Sequence, residues 1–417
     1  MLKFSVLTFG CRCNQADSAA IRAGLGRKSM TESEDFRQAD LIVINTCTVT
    51  QRADQQARQA IRRLHRENPS ARLVVVGCYA ERDPESLALL PGVSVVVGNA
   101  DRERLPEILE DEAASGAGKI LHSPLNAVSE CFLPPMSLTG GKTRPLVKIQ
   151  YGCDAKCAYC IVPHVRGPAR SARPEDVLAE IRSLAASGFQ EIVLTGIHLG
   201  AYGLKIKGHD RLIDLLRRIA ELPGLGRIRL SSIEPMHFDP AIIELVAANP
   251  VFARHFHIPL QSGSDRILRL MRRPYTAARV RNLLRQIQQA LPDAGIGTDV
   301  MVGFPGESEQ DFLETCTLIQ ELPLAYLHVF PFSPRPGTEA YFMPERVPAP
   351  VVKKRLGVLL DIARAINWEF RRRFVGSVLP AITLSKEEKM GNCVALTGNY
   401  IHARLPHRTV PPNQLID

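Results

Sequence analysis

The chain has 417 residues, 45% hydrophobic and 23% charged, an ordinary globular balance with room for two or three domains. No run of about 18 apolar residues occurs, and the opening MLKFSVLTFGCRCNQADS has no basic start or long apolar stretch, which argues against a membrane span and a secretory signal and predicts a cytoplasmic protein. Ten cysteines are too dilute for a disulfide scaffold, and the net charge of +9 is uneven, with twelve basic against six acidic residues from Tyr341 to Asp417. That asymmetry suits a polyanion such as nucleic acid, or simply a solvated basic helix.

The first 122 residues alternate short apolar runs with helical patterns. FSVLTF (4–9), LIVINT (41–46), RLVVVG (72–77) and VSVVVG (93–98) read as strands buried on both faces. DSAAIRAGLG and ADQQARQAIRRLHREN between them read as helices, so an open parallel α/β sheet is expected. Cys11, Cys47 and Cys78 each stand just past one of the first three strands. Ligands of open α/β sheets bind beyond the carboxyl ends of the strands, so three distant thiols would converge on one crevice. Each alone would pass for a small buried hydrophobe; the repeated placement favours shared ligation.

A stretch rich in Gly, Pro and Ser (111–145) reads as a linker, with 123–142 at its centre. From 143 to 370, six strand patterns alternate with helices: LVKIQ, EIVLTGI, RIRLSSI, HFHIPL, GIGTDVMVGF and AYLHVFPF. Six is fewer than the eight of a closed barrel, which predicts an open, partial (β/α)6 barrel. A helix near 350–374 leads into three strand-like segments within 371–417, a small C-terminal β unit.

Cys153, Cys157 and Cys160 form C-x3-C-x2-C at the end of the first barrel strand. A zinc ribbon would need a second cysteine pair, and only the isolated Cys316 follows before Cys393. The spacing instead suits an iron–sulfur cluster, and three thiolates on a four-iron cube leave one iron open to a substrate or cofactor. Cys316 lies in a helical pattern and reads as core; Cys131 and Cys393 have no assignable partner.

YGCDAKCAYCIVPHVRG (151–167) resembles the signature of radical S-adenosylmethionine (SAM) enzymes. FGCRCNQADS, VINTCTVTQRADQQARQAIRR and VVGCYAERDPE resemble the N-terminal segments of the methylthiotransferase family, and HIPLQSGSDRILRLMRRPYT and TDVMVGFPGESEQDF its barrel motifs. TGIHLGAYG and HVFPFSPRPGTEA are most similar to the branch acting on threonylcarbamoyladenosine in tRNA. Two features depart from the family pattern: Cys13 stands where an aliphatic residue is usual, and Tyr151 where an aspartate is. The C-terminal unit resembles a shortened TRAM-type RNA-binding domain.

The resemblance implies two [4Fe–4S] clusters, one on Cys153, Cys157 and Cys160 that generates the radical and one on Cys11, Cys47 and Cys78 that carries or supplies sulfur. It implies cleavage of SAM to methionine and a 5′-deoxyadenosyl radical, hydrogen abstraction at C2 of an adenine, and a methyl group from a second SAM. Tyr159, Gly196, Ser232, Glu234, Gln261, Ser262, Asp299 and Gly303 become candidate SAM contacts. Arg166, Arg170 and Arg173 are candidates for the SAM carboxylate or tRNA phosphates, and Arg371, Arg372 and Arg373 for RNA. His164, His198 and His257 read as structural histidines, with cluster neighbours or proton carriers as the alternative. The implied partners are the tRNA anticodon arm, an external one-electron reductant and a sulfur donor, with the enzyme a monomer. Readings of a neighbouring kind are methylthiolation of isopentenyladenosine or of a ribosomal-protein aspartate; the non-enzymatic one is an iron–sulfur RNA-binding or electron-transfer protein.

Overall fold

The computed structural model describes residues 2–110, 118–127, 143–205, 210–385, 393–405 and 410–417; Cys131 and most of the expected linker lie outside them. The chain divides into two compact units. The first comprises Met1–Gly140, Gln150–Ala172 and Ser333–Thr338; the second comprises Gly141–Ile149, Arg173–Phe332 and Glu339–Asp417. The cysteine-rich segment that begins the barrel in sequence is therefore compact with the N-terminal sheet.

The first sheet is built from β1 (Lys3–Thr8), α1 (Arg12–Arg27), β2 (Thr31–Glu32), β3 (Leu41–Thr46), α2 (Gln51–Glu67), β4 (Arg72–Gly77), α3 (Cys78–Arg82), α4 (Pro84–Ala88), β5 (Val93–Val97), α5 (Leu105–Glu110) and β6 (Lys119–Leu121). Its order is β2-β1-β3-β4-β5-β6, and every pairing is parallel. Alternation in β3 and β4 sends Ile42, Ile44, Leu73 and Val75 into one core with α2, and Val43, Val74 and Val76 into another with Ile21 and Leu25 of α1. Both faces are buried, which is why these strands read as continuous apolar runs. β6 lies within the stretch expected to be a linker, pairing Val95–Val97 with Lys119–Leu121.

Next come β7 (Leu146–Tyr151), α6 (Val162–Arg166) and β8 (Arg170–Ser171), the last pairing antiparallel with Gln150–Tyr151. The second unit continues with α7 (Pro174–Ala186), β9 (Glu191–Gly196), α8 (Leu212–Ala220), β10 (Arg227–Leu230), α9 (Ala241–Ala248), β11 (His255–His257), α10 (Asp265–Leu270), α11 (Ala277–Ala290), β12 (Gly295–Val302), α12 (Glu309–Glu321) and β13 (Tyr326–Pro331). The six expected barrel strands form two groups, β10-β9-β7 and β11-β12-β13. An Ile228–Phe252 bridge and the Ile233 N–H bond to the His257 carbonyl (3.0 Å) join them into an open arc.

After α13 (Glu339–Phe342), the long α14 (Ala349–Arg372) leads to β14 (Ala381–Leu384), β15 (Cys393–Thr397), β16 (His402–Leu405) and β17 (Leu415–Ile416), an antiparallel sheet in the order β16-β15-β14-β17. Buried Arg229 holds this sheet on the barrel, donating from Nη2 to Thr397 O and from Nη1 to Gly398 O (both 3.0 Å) while Nε and Nη2 also bind Glu191.

Candidate iron–sulfur and S-adenosylmethionine sites

Cys11, Cys47 and Cys78 occupy the carboxyl ends of β1, β3 and β4, and α1 and α3 start at or beside two of them. Two glycines make room. At Gly10 (φ +99°) a Cβ would stand 2.7 Å from Cys47 Cβ and 3.0 Å from its Sγ, so the first loop can lie directly against the second cysteine. At Gly77 (φ +95°) a Cβ would stand 2.4 Å from Asn45 Oδ1 and 2.5 Å from the Thr46 carbonyl. Asn14 Nδ2 donates to Thr46 O (2.9 Å), and Asn45 Nδ2 to Asn14 O (2.8 Å), which locks the loops together. Past Cys47, Thr48 and Arg335 both bind Asp54, and Arg335 is buried with Nε and Nη1 lacking a partner.

The thiols are electrostatically distinct. A hydrogen bond with Cys13 brings Cys11 down to about 6, helped by the Arg166 charge. The same bond, with burial, drives Cys13 up. Burial and the neighbouring Cys78 push Cys47 up to about 12. Burial also raises Cys78, with Arg166 opposing. Cys11 is exposed and acts electrostatically on both Cys47 and Cys78; Cys13 is a buried residue of α1. Three thiols of this kind, one in contact with a guanidinium, fit an iron–sulfur group with one iron left unligated.

Cys153, Cys157 and Cys160 are partly exposed on the loop after β7. The Cys153 N–H donates to Gly167 O (3.1 Å), the Cys160 N–H to Cys157 O (3.1 Å), and the Ala155 N–H to Cys153 Sγ (3.4 Å). A backbone donor aimed at sulfur favours the thiolate a cluster needs. Tyr159 is half-buried on the same loop. Tyr151 sits under three guanidiniums, with Arg170, Arg166 and Arg102 at 4.8, 5.0 and 5.2 Å from its ring centroid, and its hydroxyl meets Arg102 Nη1 at 3.1 Å. An aromatic ring in place of the usual aspartate thus serves as a cation–π platform.

Arg166 departs from its expected place. It is 1% exposed and bonded to Cys78 Sγ, Asp17 and Asn14, so it faces neither solvent nor RNA. Arg170 lies half-buried over Tyr151, and Arg173 is an exposed partner of Asp176 (2.7 Å). His164 is exposed, and His198 is buried against His237 (2.9 Å).

The remaining candidates lie in the second unit. Ser232 Oγ meets His257 Nδ1 at 2.7 Å, and Asp299 Oδ1 lies 3.2 Å from both His257 Nε2 and His328 Nδ1. Burial works against the Asp299 charge, but the two imidazoles hold its carboxyl below the usual carboxylate range. Glu234 is paired with Arg273, and burial raises its carboxyl. Gln261 has a left-handed backbone (φ 72°) and a buried Oε1 without a partner, the kind of strain that collects at ligand sites. Buried Ser262 accepts from the Ser264 N–H (3.2 Å). Gly303 (φ +75°) donates to Glu307 (2.8 Å) and packs where a Cβ would strike Val352, and Gly196 ends β9 half-buried. The reading from sequence missed the imidazole–carboxylate network, which comes from three separate strands or loops. It also missed the inward face of α1, where buried Asn14, Asp17 and Ser18 break the apolar stripe; polar residues at helical spacing were the available signal.

At the C-terminal end a groove of about 1020 Å³ is lined by Trp368, Arg371, Arg372, Val378, His402 and Arg404, among others. Arg373 turns away, donating to Pro292 O (2.6 Å). Cys316 and Cys393 are buried, and burial pushes Cys316 up to about 11. Among the described residues, no helix is long and apolar enough to cross a membrane.

A model of the family described as Uncharacterized protein family UPF0004 matches residues 3–98, and one of the Radical SAM superfamily matches residues 147–319. The chain is 37% identical over 400 residues to the threonylcarbamoyladenosine tRNA methylthiotransferase MtaB of Aquifex aeolicus (strain VF5), covering 96% of each chain. It is 37% identical to the Bacillus subtilis (strain 168) MtaB, over 94% of this chain and 88% of that one. A tRNA-2-methylthio-N(6)-dimethylallyladenosine synthase of Thermobifida fusca (strain YX) is 36% identical, over 92% and 78%. Among solved structures, the radical SAM methyltransferase TsrM of Kitasatospora setae matches with a TM-score of 0.61 at 17% identity, over 79% of this chain and 72% of that one, a likeness of fold.

Proposed function

The chain belongs to the radical SAM tRNA methylthiotransferase family, and from that premise we propose that it adds a methylthio group to C2 of N6-threonylcarbamoyladenosine next to the tRNA anticodon. The observation that carries this reading is the convergence of three strand-end thiols in the same compact unit as the C-x3-C-x2-C segment.

Cys11, Cys47 and Cys78 would hold one [4Fe–4S] cluster, and Cys153, Cys157 and Cys160 the other. When bound, these groups and SAM supply one-electron reduction, radical chemistry, sulfur and a methyl group. The protein holds the thiolates ready: Gly10 and Gly77 admit the loops, and the Ala155 N–H stabilises charge on Cys153. In the second unit, Gln261 Oε1 is an acceptor awaiting a donor such as the SAM ammonium. Ser232 and Asp299 bind SAM through a network pre-oriented by His257 and His328, and the Arg273 partner keeps Glu234 in place. In the second unit, Gly196, Ser262 and Gly303 are further candidates for contact with the same cofactor. The basic groove beside Trp368 takes the tRNA backbone, with the indole available for stacking. The reaction draws on an external one-electron reductant and a sulfur donor, in the cytoplasm, with the chain acting as a monomer.

Mass spectrometry of tRNA nucleosides from cells with and without the protein tests the proposal. Loss of 2-methylthio-N6-threonylcarbamoyladenosine in the deleted strain is the expected result. Loss of the methylthio-isopentenyl nucleoside instead would assign the chain to the activity named for its second group of relatives.

A further inference from the structure

Arg166 is six residues beyond Cys160, yet its side chain reaches the other cysteine triad. Nε donates to Cys78 Sγ (3.1 Å), Nη1 to Asp17 Oδ2 (2.9 Å) and Nη2 to Asn14 Oδ1 (2.6 Å), and the guanidinium lies 5.0 Å from the Tyr151 centroid. Ile161, just before α6, and Val165 within it pack on Cys78, and Asn99 Nδ2 donates to Val165 O (2.6 Å), so the helix presenting Arg166 is fixed from two sides. The next residue closes the link, because Gly167 O accepts the Cys153 N–H (3.1 Å). Adjacent residues thus touch both triads, one through its side chain and one through its carbonyl.

Arg102 Nη1 binds the same Asp17 oxygen at 3.0 Å, and its Nη2 reaches the more exposed Glu103 at 3.9 Å, so Asp17 is shared between two buried arginines. A guanidinium does not deprotonate, so the Arg166 charge stays beside the Cys78 sulfur to which its Nε donates. A hydrogen bond and a cation at a cluster sulfur stabilise the reduced, more negative cluster and raise its reduction potential.

We propose that Arg166 is a positioning residue that sets the reduction potential of the cluster on Cys11, Cys47 and Cys78 and ties the Cys153 loop to it. This rests on the reading of those cysteines as cluster ligands. The experiment uses the full chain carrying Cys153→Ala, Cys157→Ala and Cys160→Ala, reconstituted anaerobically so that one cluster remains. Arg166→Gln and Arg166→Lys are compared with this parent for iron content, for midpoint potential by EPR-monitored titration, and for melting of the cluster-free chain. The expected result is a more negative potential in Arg166→Gln and a smaller shift in Arg166→Lys. If Arg166→Gln holds no iron, Arg166→Lys decides by the same criterion. Iron lost from both at an unchanged cluster-free melting temperature also supports the proposal; iron lost together with lowered melting overturns it. Retained iron with an unchanged potential overturns it too, leaving Arg166 as an ion pair of the fold. A parent without iron refutes the cluster assignment itself, and this proposal with it.

Discussion

Removing Arg371 and Arg372 while keeping Arg373 separates an RNA-binding groove from a merely basic tail. Consecutive residues at the end of α14 fan by about 100° each, so three neighbouring arginines cannot share one surface. The structure divides them: Arg371 and Arg372 line the groove with Trp368 and Arg404, whereas Arg373 donates to Pro292 O (2.6 Å) and stacks on Phe370 and Phe374. Arg372 also meets Glu369 at 3.0 Å, but both are well exposed, and such a pair is too weak to keep Arg372 from a phosphate. Each lost phosphate contact flattens the log–log salt dependence by roughly 0.7 to 0.9, so Arg371→Ala/Arg372→Ala should flatten it by about 1.4 to 1.8. Between about 50 and 200 mM salt, the parent should then lose roughly tenfold more affinity than the variant. Fluorescence anisotropy with a labelled anticodon stem–loop over that range measures it. An unchanged slope in the double variant, or equal flattening by Arg373→Ala alone, would refute the reasoning.

Iron analysis after anaerobic reconstitution should approach about eight per chain, and Cys153→Ala/Cys157→Ala/Cys160→Ala should remove about half. Cys13→Ala should keep its iron and its methylthiolation, whereas Cys11→Ala should lose methylthiolation; iron and tRNA nucleoside analysis of the two variants check this. Glu191→Gln should cost roughly 3 kcal/mol in thermal or denaturant unfolding, because it strips the charge partner from fully buried Arg229. Burial opposes the Glu191 charge, yet Arg229, Arg144 and Arg227 hold its carboxyl below the ordinary range. Its contribution is therefore present above the unfolded-state value of about 4.3 and lost as pH falls through the lower folded value. Melting curves of parent and variant should converge only in that acid window, and a constant gap would contradict the assignment.

Much of the fold was legible because its signals are local. Strands buried on both faces read as unbroken apolar runs, and β3 and β4 match LIVINT and RLVVVG residue for residue. The placement of Cys11, Cys47 and Cys78 after successive parallel strands was equally visible, since a parallel sheet brings its carboxyl ends to one edge. The short β2 and β6 escaped notice; each is two or three residues at a sheet edge, too brief to show a period.

The sequence by itself determined the order of the elements, the two cysteine triads and the chemistry those triads suit, because each depends on spacing within a few residues or on repetition along the chain. Only tertiary structure decided which charges meet which sulfurs. Arg166 read as a cation for phosphate or SAM and Asp17 as the polar start of a helix, while Asn14 had no assigned role; folding buries all three around Cys78. It likewise gathers Ser232, His257, Asp299 and His328 from distant segments and sets Arg373 apart from its neighbours. Side-chain meetings across some 150 residues of sequence leave no periodic trace, because they follow from how helices pack on strand ends and from the need to pair every buried charge.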